Sequence, residues 1–361
     1  WPIDLGCGWL HSAPENEWGG VARTRGYAID FQNAPWKRGS LTVNFSATDQ
    51  RDFAAARDRF DERLDAVPDD ADCASGELLE PGGRWNALLD AVSTFANGVE
   101  LSKLSAIDFR SYRDTGINWR IVDGYGTLIA AHAESIATKR GCAVKRIDHS
   151  GTLIRLETSH GTLAAKVVVV TVPTSVLADG DVAFHPALPD KTEAAAQLPL
   201  GLADKLFLHV DRAEDLPLEA RLMGATDRVA MASYHLRPFG RPMIEGYFGG
   251  ENARRLEAEG DAAFAAFATD EICAAFGSDF RNRLRLLAVS GWHRDPFARG
   301  SYSYARIGHA AKRAALAAPV DERLFFAGEA TSTNDFSTAH GAYRTGVRAA
   351  KHALHTLGLA P

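Results

Sequence analysis

Two stretches near the end of the chain hold the residues whose types and spacing point most directly to chemistry. Leu324-Phe-Phe-Ala-Gly-Glu-Ala-Thr-Ser332 reads as a short buried strand running into a glycine turn and an acid. Thr338-Ala-His-Gly-Ala-Tyr-Arg-Thr-Gly-Val-Arg-Ala-Ala350 reads as the start of a helix with a glycine in its first turn. Free N–H groups at a helix start favour negative charge. Gly341 would let a flat ligand approach the backbone closely. Glu329, directly after Gly328, could accept hydrogen bonds from a ribityl or ribose hydroxyl. Taken alone, the same residues also describe an ordinary strand, turn and helix with a surface glutamate. Lys205, in Gly201-Leu-Ala-Asp-Lys-Leu-Phe-Leu208, lies at the edge of an apolar strand. A lysine buried there needs a partner and can shift its pKa, whereas a solvent-facing one needs neither.

The elements that must position these residues alternate along the chain. Helical spacing covers residues 49–66, 84–97, about 127–139, 251–258, 261–276 and 338–356. Strands are expected at 144–148, 153–158, 166–172, 205–210, 229–235, 243–248, 284–292 and 323–327. Val167-Val168-Val169-Val170 suits a strand buried on both faces, as in a parallel sheet. Residues 1–12 read as a short strand entering a glycine-rich loop. Such alternation, broken by segments of another kind, predicts two interleaved domains.

The C-terminal stretch resembles the FAD-binding signature of the flavin-containing amine oxidase family, which includes monoamine, polyamine and L-amino-acid oxidases and the flavin-type histone demethylases. Other segments match in the same order, so the resemblance covers most of the chain. It implies an α/β fold with an FAD/NAD(P)-binding domain of the glutathione-reductase-like type, interleaved with an α+β substrate domain. Residues 1–12, 118–199 and 318–361 would form the first, and 13–117 with 200–317 the second. The substrate domain should carry a mostly antiparallel sheet with helices on one side.

The resemblance also implies roles. Asp4-Leu-Gly-Cys-Gly-Trp-Leu-His11 is similar to the segment that passes beside the flavin ring, placing Gly6, Cys7, Gly8 and Trp9 at the cofactor. His11 would then face the substrate entrance; otherwise it is a capping or surface histidine. Val144 stands where a family valine packs on the adenine, and Pro173 ends a strand that meets the cofactor. Lys205 matches the lysine that holds a water near flavin N5. Trp292 and Tyr302 belong to the loop whose tyrosine walls one side of the amine site, where aromatic faces orient an amine. The second wall, a tyrosine in monoamine oxidases, falls at Thr338, so one wall is implied and a simple arylalkylamine substrate is not. Gly328, Glu329, Thr338, Ala339 and Gly341 complete the implied FAD contacts.

The implied reaction oxidises an amine to an imine with FAD as cofactor and oxygen as electron acceptor. Two other readings are a non-catalytic or inactive truncated scaffold and a desaturase- or protoporphyrinogen-oxidase-like flavoenzyme. The family opens with a strand, a G-x-G-x-x-G turn and a helix that bind the pyrophosphate. The 361 residues contain no G-x-G-x-x-G; Gly124-Tyr-Gly126 is followed by Ile129 where the third glycine would stand. The chain starts Trp1-Pro2-Ile3-Asp4, so that segment is expected upstream, the sheet is expected to lack its first strands, and FAD is expected to bind loosely or not at all without it.

Composition narrows the partners. A net charge of -6 without a basic block argues against nucleic acid. No apolar run approaches the roughly 20 residues of a membrane helix. Four scattered cysteines without C-x-x-C suggest reduced thiols in a cytoplasmic protein. The paired His352 and His355 lack further ligands, and no metal is expected.

Overall fold

The computed structural model describes residues 1–38 and 42–359. Its widest sheet has six strands in the order Leu284–Val289, Ala203–Val210, Met243–Gly249, Ser233–Leu236, Ala220–Met223 and Thr42–Val43. All neighbours are antiparallel except the last pair. Period-2 alternation decides its faces. Leu206, Leu208, Tyr234, Leu236, Ile244 and Phe248 share a core with Ala253, Leu256, Phe264, Ala268 and Ile272. Those last five come from the helices Gly250–Glu259 and Asp261–Phe276. The intervening residues therefore turn away from the helices: Lys205 opposite Tyr247, and His235 opposite Glu245. One face of the sheet is sealed by apolar packing and the other carries charge.

The second part holds a four-stranded sheet, ordered Gly161–Ala165, Ile154–Thr158, Val144–Asp148 and Ala183–His185, and a parallel pair, Val168–Val170 with Leu324–Phe326. Ile147, Ile154, Val170, Leu324 and Phe326 bury one another in a common core. The long helix Ala339–Thr356 packs Ala349 and Ala353 on Phe325. The six-stranded sheet and the parallel pair draw their strands from separated stretches of sequence, and a short antiparallel pair, Ile29–Asp30 with Arg120–Ile121, links two more.

Several expectations need correction. Among the described residues, 1–9 form no strand, and the pairing of this segment is a bridge from Leu10 to Trp119. The segment is held by its side chain instead, because Asp4 accepts from the Tyr125 and Gly126 amides at 3.0 Å each. It thereby caps the helix Tyr125–Ala133, which is shorter than the spacing suggested. The valine strand is parallel, but Val169 is 38% exposed, so only one face is buried. Strands Ala220–Met223 and Gly161–Ala165 went unpredicted: Arg221 interrupts the first pattern, and the second is an exposed edge strand. The helices Glu17–Thr24, Ala106–Ser111, Thr174–Ala178, Pro189–Ala196 and Lys312–Ala317 were also missed, all of eight residues or fewer.

Candidate active site

Lys205 anchors the site. Its strand delivers it to the charged face, where it is 8% exposed. Its Nζ donates to the Asp4 carbonyl at 2.9 Å and pairs with Glu245 Oε1 at 3.0 Å. An ammonium has three N–H donors, so these two acceptors leave one for a further partner. A Cβ at Gly8 would stand 3.2 Å from Nζ, so a side chain there would crowd the ammonium. Trp292 reaches the same segment: its Nε1 donates to the Leu5 carbonyl at 3.3 Å, and its ring lies 3.4 Å from where a Gly6 Cβ would be. Gly6, Gly8, Lys205 and Trp292 are thus brought together, with the exposed Cys7 thiol between the two glycines.

Behind Lys205 lies an ion cluster that the sequence reading overlooked. Glu245 is fully buried and its Oε2 meets Arg120 at 3.0 Å. Burial alone would raise its pKa, but Arg120 and then Lys205 outweigh burial and hold it far below the usual carboxylate range. Arg120 donates to His235 Nδ1 at 3.3 Å, so the Nε2–H of His235 donates to Glu219 at 2.7 Å. Trp9 packs into this cluster rather than opening onto a ligand. It is 9% exposed, stacks edge-on against Trp36 at 4.6 Å, lies under Arg120 at 4.9 Å and donates to Tyr247 Oη at 3.3 Å. A signal was available: Glu245 interrupts an otherwise apolar or aromatic strand at a position that must face the other side of the sheet.

A second group surrounds the start of the last helix. Thr338 is its N-cap, with Oγ1 accepting from the Gly341 amide at 3.0 Å and donating to the Asp335 carbonyl at 2.6 Å. The first-turn amides of Ala339 and His340 have no intrahelical partner and remain for a ligand. Gly341 is required for a different reason from the expected one. A Cβ there would lie 1.8 Å from the Asp335 carbonyl oxygen, so the protein's own backbone occupies the space. Gly328 fits the expectation better: its φ of 126° favours glycine, and no atom lies within 4 Å of a Cβ there. Glu329 is largely committed to protein. It accepts from Ser303 N at 3.0 Å, Ser303 Oγ at 2.8 Å and Ser337 N at 2.7 Å.

Tyr302 directly precedes Ser303, which donates to that carboxylate. Its hydroxyl donates to the Phe95 carbonyl at 2.6 Å, and burial pushes the hydroxyl pKa up. The hydroxyl is therefore tethered, and the half-buried ring is what Tyr302 can offer a ligand. His11 Nδ1 pairs with Asn118 Oδ1 at 2.9 Å, and burial lowers its pKa. His340 lies near enough to feel its charge. Val144 is half-buried against the core of the four-stranded sheet, and Pro173 starts the helix Thr174–Ala178. A cavity of about 350 Å³ lined by Asp90, Glu100, Lys103 and Glu251 shares no residue with the site, and Lys103 already pairs with Glu100 and Glu251.

The family model for flavin containing amine oxidoreductase matches residues 25–354. Polyamine oxidase 2 of Arabidopsis thaliana is 33% identical over 238 residues, covering 64% of this chain and 48% of that protein. Lysine-specific histone demethylase 1 homolog 2 of the same plant is 29% identical over 276 residues, covering 72% and 37%. The chain spans about half the length of the first of these relatives and less of the second. Cyclohexylamine oxidase from Brevibacterium oxydans IH-35A shares the fold, with a TM-score of 0.79 at 19% identity over 99% of this chain and 88% of that one.

Proposed function

Because the chain belongs to the flavin-containing amine oxidoreductase family, we propose that the protein oxidises an amine to an imine with FAD as cofactor, passing the electrons to oxygen and releasing hydrogen peroxide. The observation that carries this reading is the buried Lys205 ammonium, held against the glycine-opened segment 6–8 with one N–H to spare. The residues present fit the flavin end of the cofactor. The Lys205 recess, the open face at Gly328 and the uncapped Ala339 and His340 amides would hold it.

The flavin, when bound, supplies the two-electron chemistry. The chain's own residues bind and orient. Lys205 would hold a water through its third N–H. Tyr302 would present its ring to the amine, its hydroxyl being tied to Phe95. His11, whose lowered pKa favours the neutral form, would line the entrance without repelling a cationic amine. Acids that might draw a polycation are already paired here, Glu245 with Arg120 and Lys205 and Glu219 with His235. That favours an amine with a single charge.

The test is a visible absorption spectrum with intact mass on the same sample, followed by an amine panel scored by peroxide release. Flavin bands with amine-dependent peroxide support the reading. A colourless protein that takes up no added FAD sinks it.

A further inference from the structure

We propose that Asp204 and Glu257 are positioning residues that share one proton and hold the Trp292 loop against residues 4–8. Asp204 precedes Lys205 on the same strand but points to the opposite face, and is 1% exposed. Its Oδ1 accepts from Ser290 Oγ at 2.6 Å, Gly291 N at 2.9 Å and Trp292 N at 3.0 Å. Glu257, 3% exposed, takes the next two amides, His293 at 2.9 Å and Arg294 at 3.1 Å. Four consecutive backbone N–H groups thus end on two adjacent buried carboxyls. Turns seldom bury charge in this way, and the arrangement fixes the loop from which the Trp292 indole reaches the Leu5 carbonyl.

Asp204 and Glu257 accept from the amides of the adjacent residues Trp292 and His293, so the two carboxyls lie side by side in the interior, where both cannot ionise without severe repulsion. The remaining Asp204 oxygen, Oδ2, is buried and receives no hydrogen bond from the described residues, so it is the place for the shared proton. Burial first, and then the hydrogen bond to Glu257, raise Asp204 to about 7. The other charged groups facing the pair are Arg294, 3.7 Å from Glu257, with Asp261 on Arg294, His293 beside Arg254, and the Tyr302 hydroxyl. Arg294 is half-exposed and offsets only part of a second negative charge. The pair's bearing on catalysis rests on the amine-oxidase reading; its hold on the loop does not.

The experiment is amide hydrogen exchange across residues 290–294, corrected for intrinsic rates, at pH 6 and 8.5. The samples are the unmodified chain, Asp204→Asn, Glu257→Gln and Asp204→Ala. The unmodified chain should lose about tenfold or more of its protection between the two pH values, one pKa unit being a factor of ten. Asp204→Asn should hold protection level, because its amide donates permanently to Glu257 while its oxygen still accepts. Glu257→Gln should likewise be level, and Asp204→Ala should be poorly protected at both pH values. A pH-dependent loss in Asp204→Asn equal to that of the unmodified chain would overturn the shared proton. Full protection in Asp204→Ala would overturn the positioning role. Should Asp204→Ala fail to fold, the comparison with Asp204→Asn still decides. None of these readouts needs flavin or amine, so failure here is separable from failure of the proposed activity.

Discussion

Replacing Glu245 by glutamine should cost the protein more than any other single change at the site. The side chain is fully buried, with Lys205 and Arg120 each at 3.0 Å from its oxygens. Glutamine keeps the shape but leaves two cations together in the interior. Removing one partner from a buried ion pair typically costs about 3–5 kcal/mol, mostly from the charge left behind. Unfolding entropy of about 2.1 cal/mol/K per residue comes to roughly 0.75 kcal/mol per degree for a chain of this size. The melting temperature of Glu245→Gln should therefore fall by about 4–7 °C, read by circular dichroism. The double variant Glu245→Gln with Lys205→Met removes one orphaned cation, so its loss should be smaller than the two single losses added together, by about 1 kcal/mol or more. The pH dependence has a definite sign. Glu245 is ionised in the folded state well below the pKa of an unfolded glutamate, so its contribution is present above about pH 4.5 and lost as pH falls further. The gap between the two proteins should narrow below that pH. A melting temperature within a degree of the unmodified chain, or strictly additive double-variant losses, would refute the argument.

Three more outcomes follow from the last helix. Gly341→Ala and Gly346→Ala should move stability in opposite directions. The first forces a Cβ to within 1.8 Å of the Asp335 carbonyl and should lower the melting temperature by about 3 °C or more; the second meets nothing within 4 Å and should gain about 1 kcal/mol of helix propensity. Thr338→Ala should lose about 1 kcal/mol by urea titration, and Thr338→Ser should restore most of it, since a hydroxyl caps the Gly341 amide. His340 is lowered to about 4 by burial first, with Arg344 and His11 adding to it and Asp335 opposing. Its contribution is present above about pH 6.5 and lost as pH falls toward 4, so His340→Gln should flatten the urea midpoint between pH 7 and 5.

The parts of the molecule legible in the sequence are those where local pattern and tertiary environment agree. The helix Asp261–Phe276 and the strand Val144–Asp148 fell where spacing put them, because each has a continuous pattern bounded by turn residues. Gly161–Ala165 was not legible, because an edge strand gains its order from its neighbour and needs no apolar face. At the site, Lys205 carries a local signal, a lysine on an apolar strand, whereas Trp292 and the glycines of residues 6–8 are singled out only by the resemblance to the family. Glu245 leaves a trace as the one charge in an apolar and aromatic strand, but Arg120, Asp204 and Glu257 leave none, because a charged residue in a strand or helix usually faces water. What distinguishes these four is their partners, which lie 36 to 125 positions away: Glu245 on Arg120, and Asp204 and Glu257 on residues 290–294. The period-2 pleat still left a trace. Asp204 and Lys205 are adjacent and so must face opposite sides of the sheet, which puts one in the helix-packed core and the other at the recess. Two neighbouring residues therefore fix two sides of the same site, Asp204 through the Trp292 loop and Lys205 directly through the Asp4 carbonyl. Both lines of support end on residues 4–6, a segment with no strand pairing of its own before Leu10. Its position is set by these contacts and by the Asp4 helix cap rather than by the strand that its sequence pattern suggests.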